Sequence, residues 1–188
     1  MESRLATETV AANHRPGRRR LLRPGQMVEA VWHIDPRRLR RRGIRGLILD
    51  LDNTLVNWNQ VTLRPEVLRW IEEANGQELR CCVLTNARTG RRVAAVADRL
   101  GASYLIKAGK PFPRAYRKAM RRLGTTPETT AVIGDQVFTD ILGANLLGIE
   151  TILVEPFLFR EFIGTRFVRL IERPLRWWWL RNAGRRPA

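Results

Sequence analysis

Short apolar runs alternate along the chain with longer amphipathic segments. Five apolar runs have the length and composition of strands, at residues 46–52, 80–86, 102–108, 130–135 and 150–156. The segments between them place apolar residues three or four positions apart, which predicts helices at 65–76, 88–101, 111–124 and 139–148. Near-continuous apolar strands that alternate with amphipathic helices form parallel sheets covered on both faces. We therefore predict a doubly wound, Rossmann-like α/β fold with a five-stranded parallel sheet.

Polar side chains stand at the predicted carboxyl ends of these strands, where sheets of this kind bind their ligands. Because side chains alternate along a strand, Asp50 and Asp52 can face the same side while Leu51 packs inward. We expect one site at this edge of the sheet. Its candidate residues are Asp50, Asp52, Thr85, Asn86, Lys107, Lys110, Asp135 and Asp140.

This combination of side chains indicates phosphoryl transfer. Clustered carboxylates in a partly dry crevice repel one another unless a cation compensates their charge, and carboxylate and carbonyl oxygens suit Mg²⁺. Thr85 and Lys110 could then hold the oxygens of a phosphate. A carboxylate nucleophile, a neighbouring acid/base and a metal ion together describe transfer through an acyl phosphate on an aspartate.

Four stretches also occur in the order of the four motifs of the haloacid dehalogenase superfamily. DLDNT at 50–54 resembles the DxDxT motif, Thr85 the second motif, and GDQVFTD at 134–140 the fourth. Lys110 resembles the lysine of the third motif because a proline follows it, so Lys107 is the weaker candidate. No catalytic position departs from the pattern.

The resemblance implies a role for each of these residues. Asp50 would be the nucleophile, and Asp52 the general acid that protonates the leaving group and then activates water. Asp50, the main-chain carbonyl of Asp52, and Asp135 would bind Mg²⁺. The phosphate-binding and supporting residues would be Thr85, Asn86, Lys110 and Asp140. Asp140 would lie in the outer shell of the metal or hold Lys110, and both roles stay open.

Spacing between the motifs predicts an open site. The 32 residues from 53 to 84 and the 24 residues from 86 to 109 each leave room for one helix with its flanking strands or loops. We therefore expect a capless haloacid dehalogenase fold. An open site suits substrates whose bulk stays outside it, since a small metabolite would ordinarily be enclosed by a lid.

Residues 27–174 resemble the YqeG-type branch of the superfamily more closely. The stretches that carry this resemblance are RGIRGLILDLDNTLVNW, VLTNARTGRRV, KAGKPFPRAYRKA, VIGDQVFTDILGANLLGIETILVEP and FIGTRFVRLIER. The branch is similar to the mitochondrial phosphatidylglycerophosphate phosphatases. This implies removal of the terminal phosphate from phosphatidylglycerophosphate, with an anionic phospholipid as the substrate.

Positive charge is concentrated at the two ends of the chain. The 34 basic and 18 acidic residues give a net charge of +16, of which residues 1–45 hold 12 − 4 = +8 and residues 160–188 hold 8 − 2 = +6. We divide the chain into a basic arm (1–26), the phosphatase domain (27–159) and a basic amphipathic tail (160–188). Segregated charge suggests contact with an anionic surface. A general preference for arginine, with 31 Arg and 3 Lys, is the alternative explanation.

The tail favours a membrane as that surface. A helix from about residue 165 would separate apolar from arginine side chains, and Trp177, Trp178 and Trp179 are typical of anchoring at lipid headgroups. The alternative is that this apolar face packs back on the domain. No apolar run reaches the roughly 18 residues of a membrane span, and no secretory signal is evident. We expect a cytoplasmic protein bound peripherally to the membrane.

Three functions fit these observations. The first is a membrane-surface lipid phosphatase. The second is an Mg²⁺-dependent phosphatase of phosphoproteins or nucleic-acid ends, which shares every catalytic residue. The third is a nucleic-acid-binding protein with a vestigial catalytic rim. It would leave the intact acidic cluster unexplained, so we do not expect nucleic acid as the partner. The sequence does not indicate an oligomeric state.

Overall fold

Six parallel strands form one sheet in the computed structural model of the protein, which describes residues 21–156. The order across the sheet is β1-β6-β5-β2-β3-β4. The strands are β1 (Gln26–Val28), β2 (Gly46–Leu49), β3 (Arg80–Leu84), β4 (Ser103–Leu105), β5 (Thr130–Gly134) and β6 (Glu150–Val154). The predicted doubly wound α/β fold with a parallel sheet is confirmed.

The predicted number of strands was wrong, because the sheet has six and not five. The additional strand, β1, pairs with β6 at the edge of the sheet, with Val28 opposite Val154. β1 has only three residues, and all of them are half-buried. So short a strand at a sheet edge has no apolar run or alternation that distinguishes it from a loop.

Helices connect the strands close to the predicted positions. They are α1 (Pro36–Arg41), α2 (Pro65–Gly76), α3 (Gly90–Arg99), α4 (Pro113–Leu123) and the short α5 (Leu142–Asn145), which continues a π-helical turn at Val137–Ile141. Three of them begin with proline, whose fixed φ suits the first helical position. The sequence did not predict α1, because Leu39 is the one buried aliphatic residue in this helix and a single apolar position shows no helical periodicity. It starts where the Asp35 carboxylate accepts a hydrogen bond from the Arg37 N–H.

The sheet has a core on each face, and neighbouring residues of a strand enter different cores. Cys81 packs in the cluster that contains α2 and α3, whereas Cys82 packs in the cluster that contains α4. Both thiols are free and buried. The two cysteines are therefore core residues on a strand.

The connections leave the carboxyl edge of the sheet open. Within residues 21–156, only α2 lies between β2 and β3, and only α3 lies between β3 and β4. The described chain thus contains no inserted cap domain, as predicted. No helix among the described residues combines the length and apolarity needed to cross a membrane. The predicted tail (160–188) and most of the arm (1–26) lie outside the described residues.

Candidate active site

A cleft of about 290 Å³ opens at the carboxyl ends of the central strands. Five of the predicted site residues line it, namely Asp50, Asp52, Thr85, Asn86 and Lys110. They come from the loops that follow β2, β3 and β4, which are neighbours in the sheet. The strand order therefore brings together side chains that are up to 60 residues apart.

Lys110 lies between two carboxylates at the base of this cleft. Its Nζ donates a hydrogen bond to Asp50 Oδ1 at 2.5 Å and another to Asp140 Oδ1 at 2.6 Å. All three side chains are nearly inaccessible to solvent. A buried charge is tolerated only when it is paired, so the arrangement depends on all three residues.

The electrostatics of this triad shift the pKa values of its members. Burial raises the pKa of Asp50 to about 7; Lys110 opposes the rise, and Asp140 adds to it. Burial alone would lower the pKa of Lys110, but the Asp140 and Asp50 carboxylates outweigh it and raise that pKa above its usual value. Lys110 therefore stays charged, while Asp50 needs a further cation nearby to be fully ionised at neutral pH.

The site has the donors that such a cation requires. Asp50, Asp135 and Asp140 each place a carboxylate oxygen within 4.8 Å of the other two, and all three residues are buried. Several carboxylate oxygens this close together suit a hard divalent cation such as Mg²⁺. The high pKa of Asp50 is consistent with a place beside such an ion, because the ion would lower it again.

Asp140 is fixed by contacts on both of its oxygens. One oxygen accepts the hydrogen bond from Lys110, and the other accepts one from the Gln136 N–H at 3.1 Å. Gly134 leaves room for this carboxylate, because a Cβ at that position would overlap it. The structure shows the contact of Asp140 with Lys110, and the same carboxylate also belongs to the cluster that could hold a metal, so both roles left open by the sequence stay compatible with its position.

Asp52 is held by an arginine that the sequence analysis did not select. Arg92 Nη1 and Nη2 donate to Asp52 Oδ1 and Oδ2 at 2.8 and 2.7 Å, which is a bidentate pair. The Asn59 N–H also donates to Oδ1, at 2.9 Å. In the sequence Arg92 looks like one of several arginines on the polar face of α3. No local pattern distinguishes it, because its partner lies 40 residues away.

Of the remaining predicted residues, Asn86 and Thr85 line the cleft and Lys107 does not. Asn86 donates to the Lys110 main-chain carbonyl at 3.2 Å and accepts from the Lys110 N–H at 2.9 Å. Thr85 Oγ1 accepts a hydrogen bond from the Ala87 N–H. Lys107 does not line this cleft and borders a different cavity next to α4. Asn86 thus fixes the backbone of Lys110, a contact that its predicted role in phosphate binding did not include.

Known proteins with related sequences are phosphatases. A family model described as "HAD-hyrolase-like" matches residues 107–156. The chain is 38% identical over 150 residues to the probable phosphatase YqeG of Bacillus subtilis, an alignment that covers 80% of this chain and 87% of that protein.

More distant matches agree with this relationship. The chain is 28% identical over 176 residues to phosphatidylglycerophosphate phosphatase 1, chloroplastic/mitochondrial, of Arabidopsis thaliana. That alignment covers 87% of this chain but only 50% of the plant protein, so the chain spans half of its length. A crystal structure of an uncharacterized protein from Listeria monocytogenes serotype 4b matches with a TM-score of 0.51 at 16% identity, covering 65% of this chain and 88% of that chain. The last match supports the fold alone.

Taken with the similarity to YqeG, the four ordered motifs at one sheet edge show that the chain belongs to the YqeG-type phosphatases of the haloacid dehalogenase superfamily.

Proposed function

We propose that the protein is an Mg²⁺-dependent phosphatase that hydrolyses phosphatidylglycerophosphate to phosphatidylglycerol at a membrane surface. The observation that carries the proposal is the buried Asp50 carboxylate, held by Lys110 at the base of an open cleft. A carboxylate in this position can attack a phosphorus atom that enters from the cleft, while the rest of the substrate remains outside.

The reaction proceeds in two displacements on Asp50. In the first, the carboxylate attacks phosphorus, the bond from phosphorus to the leaving oxygen breaks, and Asp52 gives that oxygen a proton. In the second, Asp52 takes a proton from water, which attacks phosphorus and releases phosphate from the Asp50 acyl phosphate. Lys110 and Thr85 hold the oxygens of the phosphoryl group and offset its negative charge.

Asp50, the main-chain carbonyl of Asp52, and Asp135 would hold Mg²⁺. When bound, the ion supplies positive charge against the oxygens of the phosphoryl group. The cluster of three buried carboxylates supports this assignment. Asp140 contributes from behind Lys110 by keeping the lysine in place.

Three observations support a lipid substrate. The Arabidopsis relative is named for phosphatidylglycerophosphate. The cleft has no inserted cap within residues 21–156. The tail combines eight arginines with Trp177, Trp178 and Trp179, a composition typical of peripheral binding to anionic membranes. We infer a cytoplasmic enzyme that binds the membrane surface through its basic ends.

Phosphate release from three kinds of substrate tests the proposal. Purified protein with Mg²⁺ is given phosphatidylglycerophosphate in mixed micelles, a phosphopeptide, or a 3′-phosphorylated oligonucleotide, with Asp50→Asn as the control. Release from the lipid alone, abolished in the variant, would support the proposal. Release from the peptide or oligonucleotide alone would favour a phosphatase of phosphoproteins or nucleic-acid ends.

Deletion of residues 175–188 tests the membrane contact separately. We expect a much larger loss of turnover on phosphatidylglycerophosphate in vesicles than on a soluble phosphate ester. Equal losses on both substrates would instead indicate a tail that supports the folded domain.

A further inference from the structure

The pairing of Arg92 with Asp52 restricts Asp52 in its proposed task. Asp52 Oδ1 accepts hydrogen bonds from Arg92 and from the Asn59 N–H, and Oδ2 accepts one from Arg92. An acid that passes a proton to a leaving group needs one oxygen directed at that group. Oδ1 already accepts two hydrogen bonds and Oδ2 accepts one, so only one acceptor position, on Oδ2, is left for that proton. Release of the Arg92 contacts would open further acceptor positions on both oxygens for proton transfer.

The surroundings of Arg92 show what could draw it away. Its side chain lines the same cleft as Asp50 and is 13% exposed. Nη1 also donates to the Gln60 carbonyl at 3.1 Å, whereas the buried Nε makes no hydrogen bond within residues 21–156. Arg88, four residues earlier, lines the cleft as well. The guanidinium thus has unused donor capacity in a cleft that a second arginine also lines, which favours an anion as a new partner.

We propose that Arg92 exchanges Asp52 for a second anionic group of the substrate, one that lies beyond the phosphate that reacts. The substrate itself then frees Asp52 for proton transfer. Arg92 is in this way a specificity-determining residue for phosphate monoesters that carry a nearby phosphodiester. The inference rests on the proposed function, because phosphatidylglycerophosphate has a phosphodiester one glycerol unit away from its terminal phosphate. A guanidinium binds phosphate oxygens in the same bidentate manner as a carboxylate, so the exchange replaces like with like.

Two soluble substrates, one with and one without the second anionic group, measure the effect of that group apart from the effect of the phosphate that reacts. Glycerophosphoglycerol phosphate carries a phosphodiester and a terminal monoester, and glycerol 3-phosphate carries the monoester alone. We expect a wild-type kcat/KM at least about tenfold higher for the first, which is the effect of one strong charged contact. In Arg92→Gln that ratio should fall below about threefold. Arg91→Gln, next to it on α3 but outside the cleft lining, is the matched control and should keep the wild-type ratio.

The way in which the ratio falls distinguishes exchange from simple positioning. If the exchange occurs, Arg92→Gln loses far more activity on the two-anion substrate than on glycerol 3-phosphate, because only the first substrate carries the group that Arg92 binds. Arg92→Lys keeps the charge without the planar fork and should recover part of the preference. A parallel loss on both substrates would overturn the proposal, since Arg92 would then only hold Asp52 in place.

A binding measurement keeps this inference separate from the phosphatase proposal. In Asp50→Asn, titration calorimetry should show at least about tenfold tighter binding of glycerophosphoglycerol phosphate than of glycerol 3-phosphate. The added Arg92→Gln change should remove the difference, and the added Arg91→Gln change should not.

A wild-type enzyme that hydrolyses both esters equally well, with equal binding in Asp50→Asn, would overturn the exchange and leave the phosphatase proposal intact. Phosphate release from phosphatidylglycerophosphate in mixed micelles tests the phosphatase proposal by itself. The binding contrast would decide for or against the exchange even if neither soluble ester were hydrolysed.

Discussion

The ammonium group of Lys110 lies 2.6 Å from the carboxylate of Asp140, a residue 30 positions further along the chain. The same ammonium contacts Asp50, so Asp140 supplies the second negative charge that keeps the lysine protonated in a buried position. Asp140 is therefore linked through Lys110 to Asp50, the nucleophile that we propose. This relationship explains why an aspartate well past the end of β5 belongs to the site.

We predict that Asp140→Asn lowers both activity and stability. The amide cannot balance the lysine charge, so Lys110 should shift toward Asp50. We expect kcat/KM to fall by on the order of tenfold to a hundredfold, and the free energy of unfolding to fall by roughly 1–3 kcal/mol. Urea unfolding and phosphate release measure the two effects. Asp98→Asn, an exposed position on α3, is the control and should change neither. An active Asp140→Asn enzyme would show that Lys110 does not need this anchor.

Gly134→Ala should disturb the same contact through steric overlap. Gly134 ends β5, and a Cβ there would overlap the Asp140 carboxylate. The carboxylate must move, so we expect a loss of turnover together with a destabilisation of roughly 1–3 kcal/mol. Gly76→Ala is the matched change, because a Cβ at Gly76 meets nothing within 4 Å. Thermal unfolding and kcat/KM of the two variants should differ clearly, and equal behaviour would contradict the predicted overlap.

Removal of divalent metal should abolish turnover. We expect dialysis against EDTA to leave a folded, inactive protein, and Mg²⁺ to restore phosphate release. Mg²⁺ held by the carboxylate cluster of the folded protein, as we propose, should also raise the thermal midpoint of the wild-type protein. Asp135→Asn removes one of the clustered carboxylates and should lose most of this Mg²⁺-dependent rise. A rise of the same size in Asp135→Asn would place the ion elsewhere.

Glu150 provides a test of pH-dependent stability away from the site. Burial raises its pKa in the folded protein, although Arg42, at 2.7 Å, and Arg38 oppose the rise. A raised folded-state pKa means that the folded protein binds the proton more tightly than the unfolded chain. This contribution is complete below the ordinary glutamate pKa of about 4.3 and is lost as the pH rises through the folded-state pKa. Glu150→Gln should therefore have the higher thermal midpoint at pH 7.

The comparison of that midpoint across pH is the decisive measurement for Glu150. The advantage of Glu150→Gln over the wild-type protein should shrink as the pH falls toward 4, where the glutamate is mostly protonated in both states. Glu128→Gln is a suitable control, since Glu128 is exposed and its pKa is lowered by hydrogen bonds, chiefly from Thr126. A wild-type protein more stable than Glu150→Gln at pH 7 would show that the Arg42 pair outweighs the cost of burial.

The sequence by itself determined most of the fold and the location of the site. Burial from both sides leaves a strand such as β5 almost entirely apolar, and the helices between strands have a single apolar face. Both patterns are local and can be read along the chain. Polar residues that directly follow such strands, above all Asp50 and Asp52, could also be assigned to one edge, because parallel strands all end there.

Only the tertiary structure decided which side chains touch. The edge strand β1, the Arg92–Asp52 pair, the Lys110–Asp140 contact and the hold of Asn86 on Lys110 all join segments distant in sequence. Each contact depends on the order of strands in the sheet and on the space between them. The spacing of apolar residues along the sequence contains neither kind of information. An arginine on a polar helix face looks the same in the sequence whether it meets water or a carboxylate of the cleft, so its partner could be known only from the folded chain.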